Sequence, residues 1–265
     1  SELVQSCAAT PIHPLVVERL LDAAEGNLTA LVELPACLSP DQLAGRVQLE
    51  DPLPVGPTLT RGFRRRLEAL SEPARRGLLL LATGAEDDDD AVARALTLDG
   101  VSDAHLDEAE RSGLVTVRNG RRQISTPVAQ AAVYHSAAAP DRRVAHARLA
   151  ESSDASSPRH AWHRAAAAFS PDEGIAAELE DAAALAMTRG DAPTAWRTLE
   201  RAAELTPEGP TRRQRYVGAA DAALRARHPD AAARLLALGV DPADEPAIRR
   251  MGSAGPASLD ADRLH

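Results

Sequence analysis

The chain has 265 residues, a net charge of −9 and 44% hydrophobic residues, many of them Ala, with only six aromatics. This balance disfavours whole-body attraction to nucleic acid or to an anionic membrane, and it argues against a base-stacking platform. All thirty basic residues are Arg, so neither a G-x-x-x-x-G-K-[ST] phosphate loop nor a Schiff-base lysine exists in this sequence.

An Ala-rich, Phe-poor interior suits closely packed helix pairs better than a thick sandwich core. Cys7 and Cys37 are the only cysteines. No secretory signal precedes them and no apolar run approaches a membrane span, so two reduced thiols in a cytoplasmic protein are expected. The first Met is Met187, which makes the chain a piece of a longer protein in this reading.

From the start, PLVVERLLDAAE (14–25) has helical apolar spacing, with Pro14 opening the helix and Gly26 stopping it. Asn27 caps a second helix, Leu28 to Leu34, ended near Pro35. Ser39-Pro40-Asp41-Gln42 is a capping box over one short turn closed by Gly45. DPLPVGP (51–57) is a stiff extended linker. Residues 1–57 are thus a helical, lid-like segment with its linker.

The next unit covers residues 58–137. Thr58 to Leu70 puts Leu59, Phe63, Leu67 and Leu70 on one face, with Arg61, Arg64, Arg65 and Arg66 mostly outside. Ser71 caps a helix containing the apolar run Leu78 to Leu81. Asp87 to Asp90 is expected as a solvated loop capping helix 90–98. Ser102 caps helix 103–111, which Gly113 ends. Leu114 to Val117 and Gln123 to Ser125 flank Asn119-Gly120, the strongest short hairpin signal, because a type I′ turn needs positive φ at both central residues. Thr126-Pro127 then reads as N-cap and N1. Helices followed by a lone hairpin give a winged-helix pattern.

Residues 138–250 read as tetratricopeptide-like repeats. Pro171, Pro207 and Pro242 lie 36 and 35 residues apart, each after a similar helix end. Paired helices precede each: 141–151 with 158–169, 172–189 with 192–205, and 212–226 with 229–238. Ser170-Pro171-Asp172-Glu173 is a second expected capping box. Residues 251–265 form a small, polar tail. The expected class is all-α with one small β-hairpin.

Chemistry is sparse. The helix in the recognition position carries Asp103, Asp107, Glu108 and Glu110 against Arg111, so phosphate would repel it, although Arg118, Arg121 and Arg122 make the wing mildly basic. Direct nucleic-acid binding by this stretch is not expected. His160 and His163 share a helix face beside Trp162, and His146 joins them if the paired helices face each other. No Cys or carboxylate nearby completes a zinc set, so packing is favoured and no metal site is assigned. No nucleophile motif or apolar carboxylate pair marks a catalytic residue. Trp196 and Tyr216 lie on repeat helices, as core residues or, on an inner face, as contacts for a partner or ligand.

EGNLTALVELP (25–35), DPLPVGP, ISTPVAQAAVY (124–134), AWHRAAAAFSPDEGIAAELE (161–180) and LERAAELTP (199–207), in this order, resemble the middle region of large LuxR-type transcriptional regulators of the signal-transduction ATPase class. The resemblance covers roughly residues 15–240. It implies a helical lid, a winged helix and tetratricopeptide-like sensor repeats, with a P-loop ATPase domain before them and a LuxR helix-turn-helix after them. It also implies nucleotide-contact positions at Gly26, Asn27, Leu28 and Thr126. Two of these depart from the family pattern. Leu28 stands where the lid motif G-N-P-L-A has proline, and Thr126 where R-H-P-L-V-R has His. Weak or lost ADP/ATP sensing in the parent protein is the expectation, with no cofactor in this stretch.

The favoured reading is a sensing and coupling segment that takes a protein or small-molecule inducer on its repeats and reaches DNA through a module absent here, with no membrane partner. A freestanding tetratricopeptide-like interaction scaffold is the alternative.

Overall fold

A computed structural model describes residues 11–240. Among them are fourteen helices and one two-stranded antiparallel sheet, the mostly helical architecture that the composition implies. Helix α1 (Pro14–Ala24) starts where the His13 ring accepts the Leu15 N–H at 3.3 Å, and it leaves through left-handed Glu25 and Gly26. Helix α2 (Leu28–Ala36) is capped by Asn27, whose Oδ1 accepts the Ala30 N–H at 3.1 Å. It runs through Pro35 instead of ending before it. A proline this close to the C-terminus forfeits little of the backbone ladder, and its ring is buried. The Ser39–Gln42 capping box forms over α3 (Pro40–Leu43).

Helix α4 (Pro57–Glu68) buries Leu67 and leaves its arginines outside; Leu70 is buried just beyond its end. Glu33 of α2 receives its Thr58 and Leu59 N–H groups at 3.1 and 3.3 Å. Helices α5 (Glu72–Thr83), α6 (Asp89–Leu98) and α7 (Asp103–Arg111) precede strands β1 (Val115–Arg118) and β2 (Arg121–Ile124). Val115 pairs with Ile124, and Asn119 and Gly120 take φ of 52° and 77°, as the type I′ turn demands. Thr126 caps α8 (Pro127–Ser136) by accepting the Ala129 N–H at 3.1 Å. Leu78 to Leu81, Leu106, Leu114, Val115 and Val133 share one core with Ala145 and Leu149 of α9 (Ala139–Ser152). Helix α9 therefore belongs to this core as well as to the pair it makes with α10 (Pro158–Ala167).

Helices α11 (Glu173–Thr188), α12 (Ala192–Leu205), α13 (Pro210–Arg225) and α14 (Pro229–Gly239) pack in succession, α11 on α10 and each later helix on the one before. The expected box at Ser170 does not form. Asp172 donates its backbone N–H to Leu205 O at 2.8 Å, which holds it outside the helix, where its carboxylate caps Ile175. Small side chains such as Ala195, Ala203, Ala219 and Ala223 let these helices approach closely around Trp196 and Tyr216, which are buried in the same core. The exposure of both is under a tenth, so neither offers its ring as an open contact surface. Buried Arg215 of α13 ties back to Glu173 and Glu180 of α11 at 2.8 and 2.9 Å.

The two ends of the described chain meet. Gln48 Nε2 donates to Glu200 Oε2 at 2.5 Å, and Arg234 donates to Arg46 O at 2.9 Å and to Glu200 Oε1 at 2.5 Å. The His13 and His228 rings stack at 5.2 Å, with Trp196 5.5 Å from His228. We refer to these contacts as the clasp. Cys7, Pro242 and the 251–265 tail lie outside the described residues.

Candidate functional site

A cleft of about 560 Å³ lies where the units converge. Helix α1 and the linker give Arg19, Asp51 and Pro52. The end of α5, the connection after it and helix α8 give Thr83, Glu86, Gln130 and Tyr134. Helices α9 and α10 contribute His146, Arg159 and Trp162. The α11–α12 hairpin contributes Leu185, Ala186, Arg189 and Arg197. This volume is in the range of small-molecule pockets.

Behind the cleft wall runs a chain of hydrogen bonds. The Tyr134 hydroxyl meets His146 Nε2 at 3.0 Å, His146 Nδ1 meets His163 Nδ1 at 2.8 Å, and His163 Nε2 meets Asp87 Oδ2 at 2.6 Å. Arg159 Nε holds the other Asp87 oxygen at 2.5 Å. The His163 side chain is fully buried and that of Asp87 nearly so. Burial alone would raise the Asp87 carboxyl, but the His163 hydrogen bond and charge, followed by Arg159, hold it below the ordinary Asp value. Burial pushes the His146 imidazole down to about 3, with the neighbouring His163 adding to the shift, so His146 is neutral. Burial also raises the Tyr134 phenol, which keeps its proton.

Ionised Asp87 accepts the His163 Nε2–H. At the facing Nδ1 atoms one ring donates to the other, and the Tyr134 hydroxyl donates to or accepts from His146 Nε2 accordingly.

Asp87 departs from the solvated loop expected of the Asp87–Asp90 run, because two basic groups on α10 draw it under the surface. The rest of the run behaves as a helix start, with Asp88 at the N-cap and Asp89 paired to Arg121. His160 and His163 do not act together. His160 Nδ1 bonds Ala150 O at 2.9 Å, while His163 turns to His146. Among the described residues no group of three or more His, Cys, Asp or Glu is placed to hold a metal ion.

The family-implied nucleotide positions serve local structure. Gly26 takes φ of 80°, Asn27 and Thr126 spend their side-chain oxygens on caps, and Leu28 is largely exposed. The basic hairpin folds onto the acidic helix α7: Arg122 pairs with Asp103 at 2.6 Å and also with Asp107 and Glu110. Cys37 is a half-buried free thiol, raised by burial and by Glu33. No helix among the described residues is long and apolar enough to cross a membrane.

Asp87, Tyr134 and Arg159 carry no mark in the sequence, since a Tyr near a helix end and an Asp in an acidic run are commonplace. His146 opposite the α10 histidines was the one legible part of the chain. Comparison with protein-family models, curated proteins and solved structures finds no match.

Proposed function

We propose that the chain is a sensing and coupling segment that takes a small-molecule inducer in the 560 Å³ cleft. The observation that supports this is the composition of the cleft wall, which every unit of the chain helps to build. A ligand held by Arg19, Tyr134, Trp162 and Arg197 at once touches the N-terminal segment, the hairpin-bearing unit and the repeats. Its binding energy therefore depends on how those units are disposed, which is the requirement for shifting a conformational equilibrium. The clasp gives that equilibrium a second element to act on, because it joins the N-terminal segment to α12 and α14. On this reading the unit of residues 58–137 is a winged helix, residues 138–240 are tetratricopeptide-like, and the parent protein is a LuxR-type regulator with an ATPase domain and a DNA-binding module beyond this chain. The caps formed by Asn27 and Thr126 favour weak nucleotide sensing in that parent.

A small-molecule thermal-shift screen tests the cleft. Ligands are expected to raise the melting temperature by several degrees, and Ala182→Trp, which fills the cleft from half-exposed Ala182 of α11, is expected to abolish the shift. Hits that ignore this substitution, or an absence of hits, overturn the reading.

A further inference from the structure

We propose that the outward face of α4 docks an acidic helix of a partner protein, its carboxylates on the α4 arginines and its backbone close over Gly62. This surface is separate from the cleft, and the inference does not rest on the reading of the cleft as a ligand site.

The first observation is charge that the fold leaves over. Helix α4 reads PTLTRGFRRRLE, and its Arg61, Arg64, Arg65 and Arg66 are all exposed. Elsewhere guanidiniums are committed within the chain: Arg122 to Asp103, Arg159 to Asp87, Arg215 to Glu173 and Arg234 to Glu200. None of the four on α4 forms an ion pair among the described residues, and Arg66 lies over the Phe63 ring at 5.9 Å. The carboxylate nearest in effect to Arg61 is Glu33, whose two oxygens already accept the Thr58 and Leu59 N–H groups. Glu68 is the one acid of α4 itself. Beyond the helix, Glu72 has exposed Arg75 one turn on, and Asp141, across the groove from Arg64, is followed by Arg142 and Arg143. Positive charge is therefore in excess on this face. Attraction to the negative end of the helix dipole accounts for Arg65 and Arg66 in the last turn, but not for Arg61 and Arg64 before it.

The second observation is Gly62. It is exposed in the middle of α4, and a Cβ there would meet no atom within 4 Å. Gly weakens a helix, and nothing within the chain uses its missing side chain. Helical spacing sets Gly62 and Ala69 in one line, with Arg61 and Arg65 on one side and Arg66 on the other. A small-residue floor between arginines admits another helix's backbone, while guanidinium forks take carboxylates spaced three and four residues apart on it. The 12 residues of α4 span about 18 Å, a few turns of such a helix. A nucleic-acid duplex fits less well, because its charge continues past α4 over a chain of net charge −9. A membrane would find nothing to bury, because Leu59, Phe63 and Leu67 turn inward to the core.

Fluorescence anisotropy with the full chain tests this. The probe is a labelled, end-capped Glu-Ala peptide of about 28 residues, with Glu at spacings of three and four. Saturable binding is expected, and raising salt from about 0.05 M to about 0.5 M should weaken it severalfold. Arg61→Ala with Arg65→Ala is expected to weaken the peptide about tenfold. Gly62→Leu keeps every charge and favours the helix, so its melting temperature should not fall, yet the peptide should bind about tenfold more weakly. Absence of peptide binding overturns the proposal, as does binding that ignores either variant. A lowered melting temperature for Gly62→Leu also overturns it, by giving the glycine a role inside the fold. So does tighter binding of a duplex DNA or of anionic phosphatidylserine vesicles through the same arginines, or equal binding of the peptide with Lys in place of Glu.

Discussion

His146 is the residue on which pH should act most visibly. Its folded value is pushed to about 3 by burial, while an unfolded His titrates near ~6.5. Below that unfolded value the denatured chain takes a proton that the native chain refuses. Stability therefore falls as pH drops through the window from about 6.5 towards 3, by up to about 1.4 kcal/mol per pH unit from this group. His228, also held down by burial and then by His13, acts in the same direction. Asp87 has the opposite kind of origin with the same outcome, since a depressed carboxyl contributes above its unfolded value and loses that contribution in acid. Denaturant melts of the native protein and of His146→Gln between about pH 7 and pH 5 check this. The variant should lose a large part of the acid slope even where it is less stable at neutral pH.

Among the helices, one close approach is at Gly77 of α5. A Cβ there would stand 2.8 Å from Val101 Cγ1 and 3.2 Å from Leu106 Cδ2, at the entrance to and on α7. Ala is the better helix former by about 1 kcal/mol, but overpacking costs roughly 1–3 kcal/mol. Gly77→Ala is therefore expected to destabilise, by about 1 kcal/mol, in urea melts. Elements like these were largely readable in advance. Asn27, Ser39, Thr126 and the Asn119-Gly120 turn act within a few residues of themselves, and so did their signals. The misread starts and stops have equally local causes with distant triggers: Asp172 is fixed by Leu205 O, 33 positions on in the chain. The candidate site was illegible for the same reason taken further. Asp87 meets His163 across 76 residues, and nothing within the acidic run distinguishes the one carboxylate that is buried.

At the level of the whole chain the clasp makes a further expectation. Gln48→Ala with Arg234→Ala removes the bonds to Glu200 and to Arg46 O. Partly exposed polar contacts of this kind contribute about 1–2 kcal/mol together. The double variant should show faster proteolysis near residues 44–50 while its far-ultraviolet helix signal is unchanged. Equal cleavage rates in the two proteins would mean that the junction carries no energy.

That same junction changes how the molecule should yield under load. A row of helix pairs normally peels from its outermost member, which has a neighbour on one side only. Here α14 also holds the stretch around Arg46 and Gln48, so a pull on the two termini meets a bolted loop instead of a loose end. In an optical trap the intact chain should give way in one abrupt rip, and the Gln48→Ala, Arg234→Ala chain should lengthen in a staircase of smaller steps.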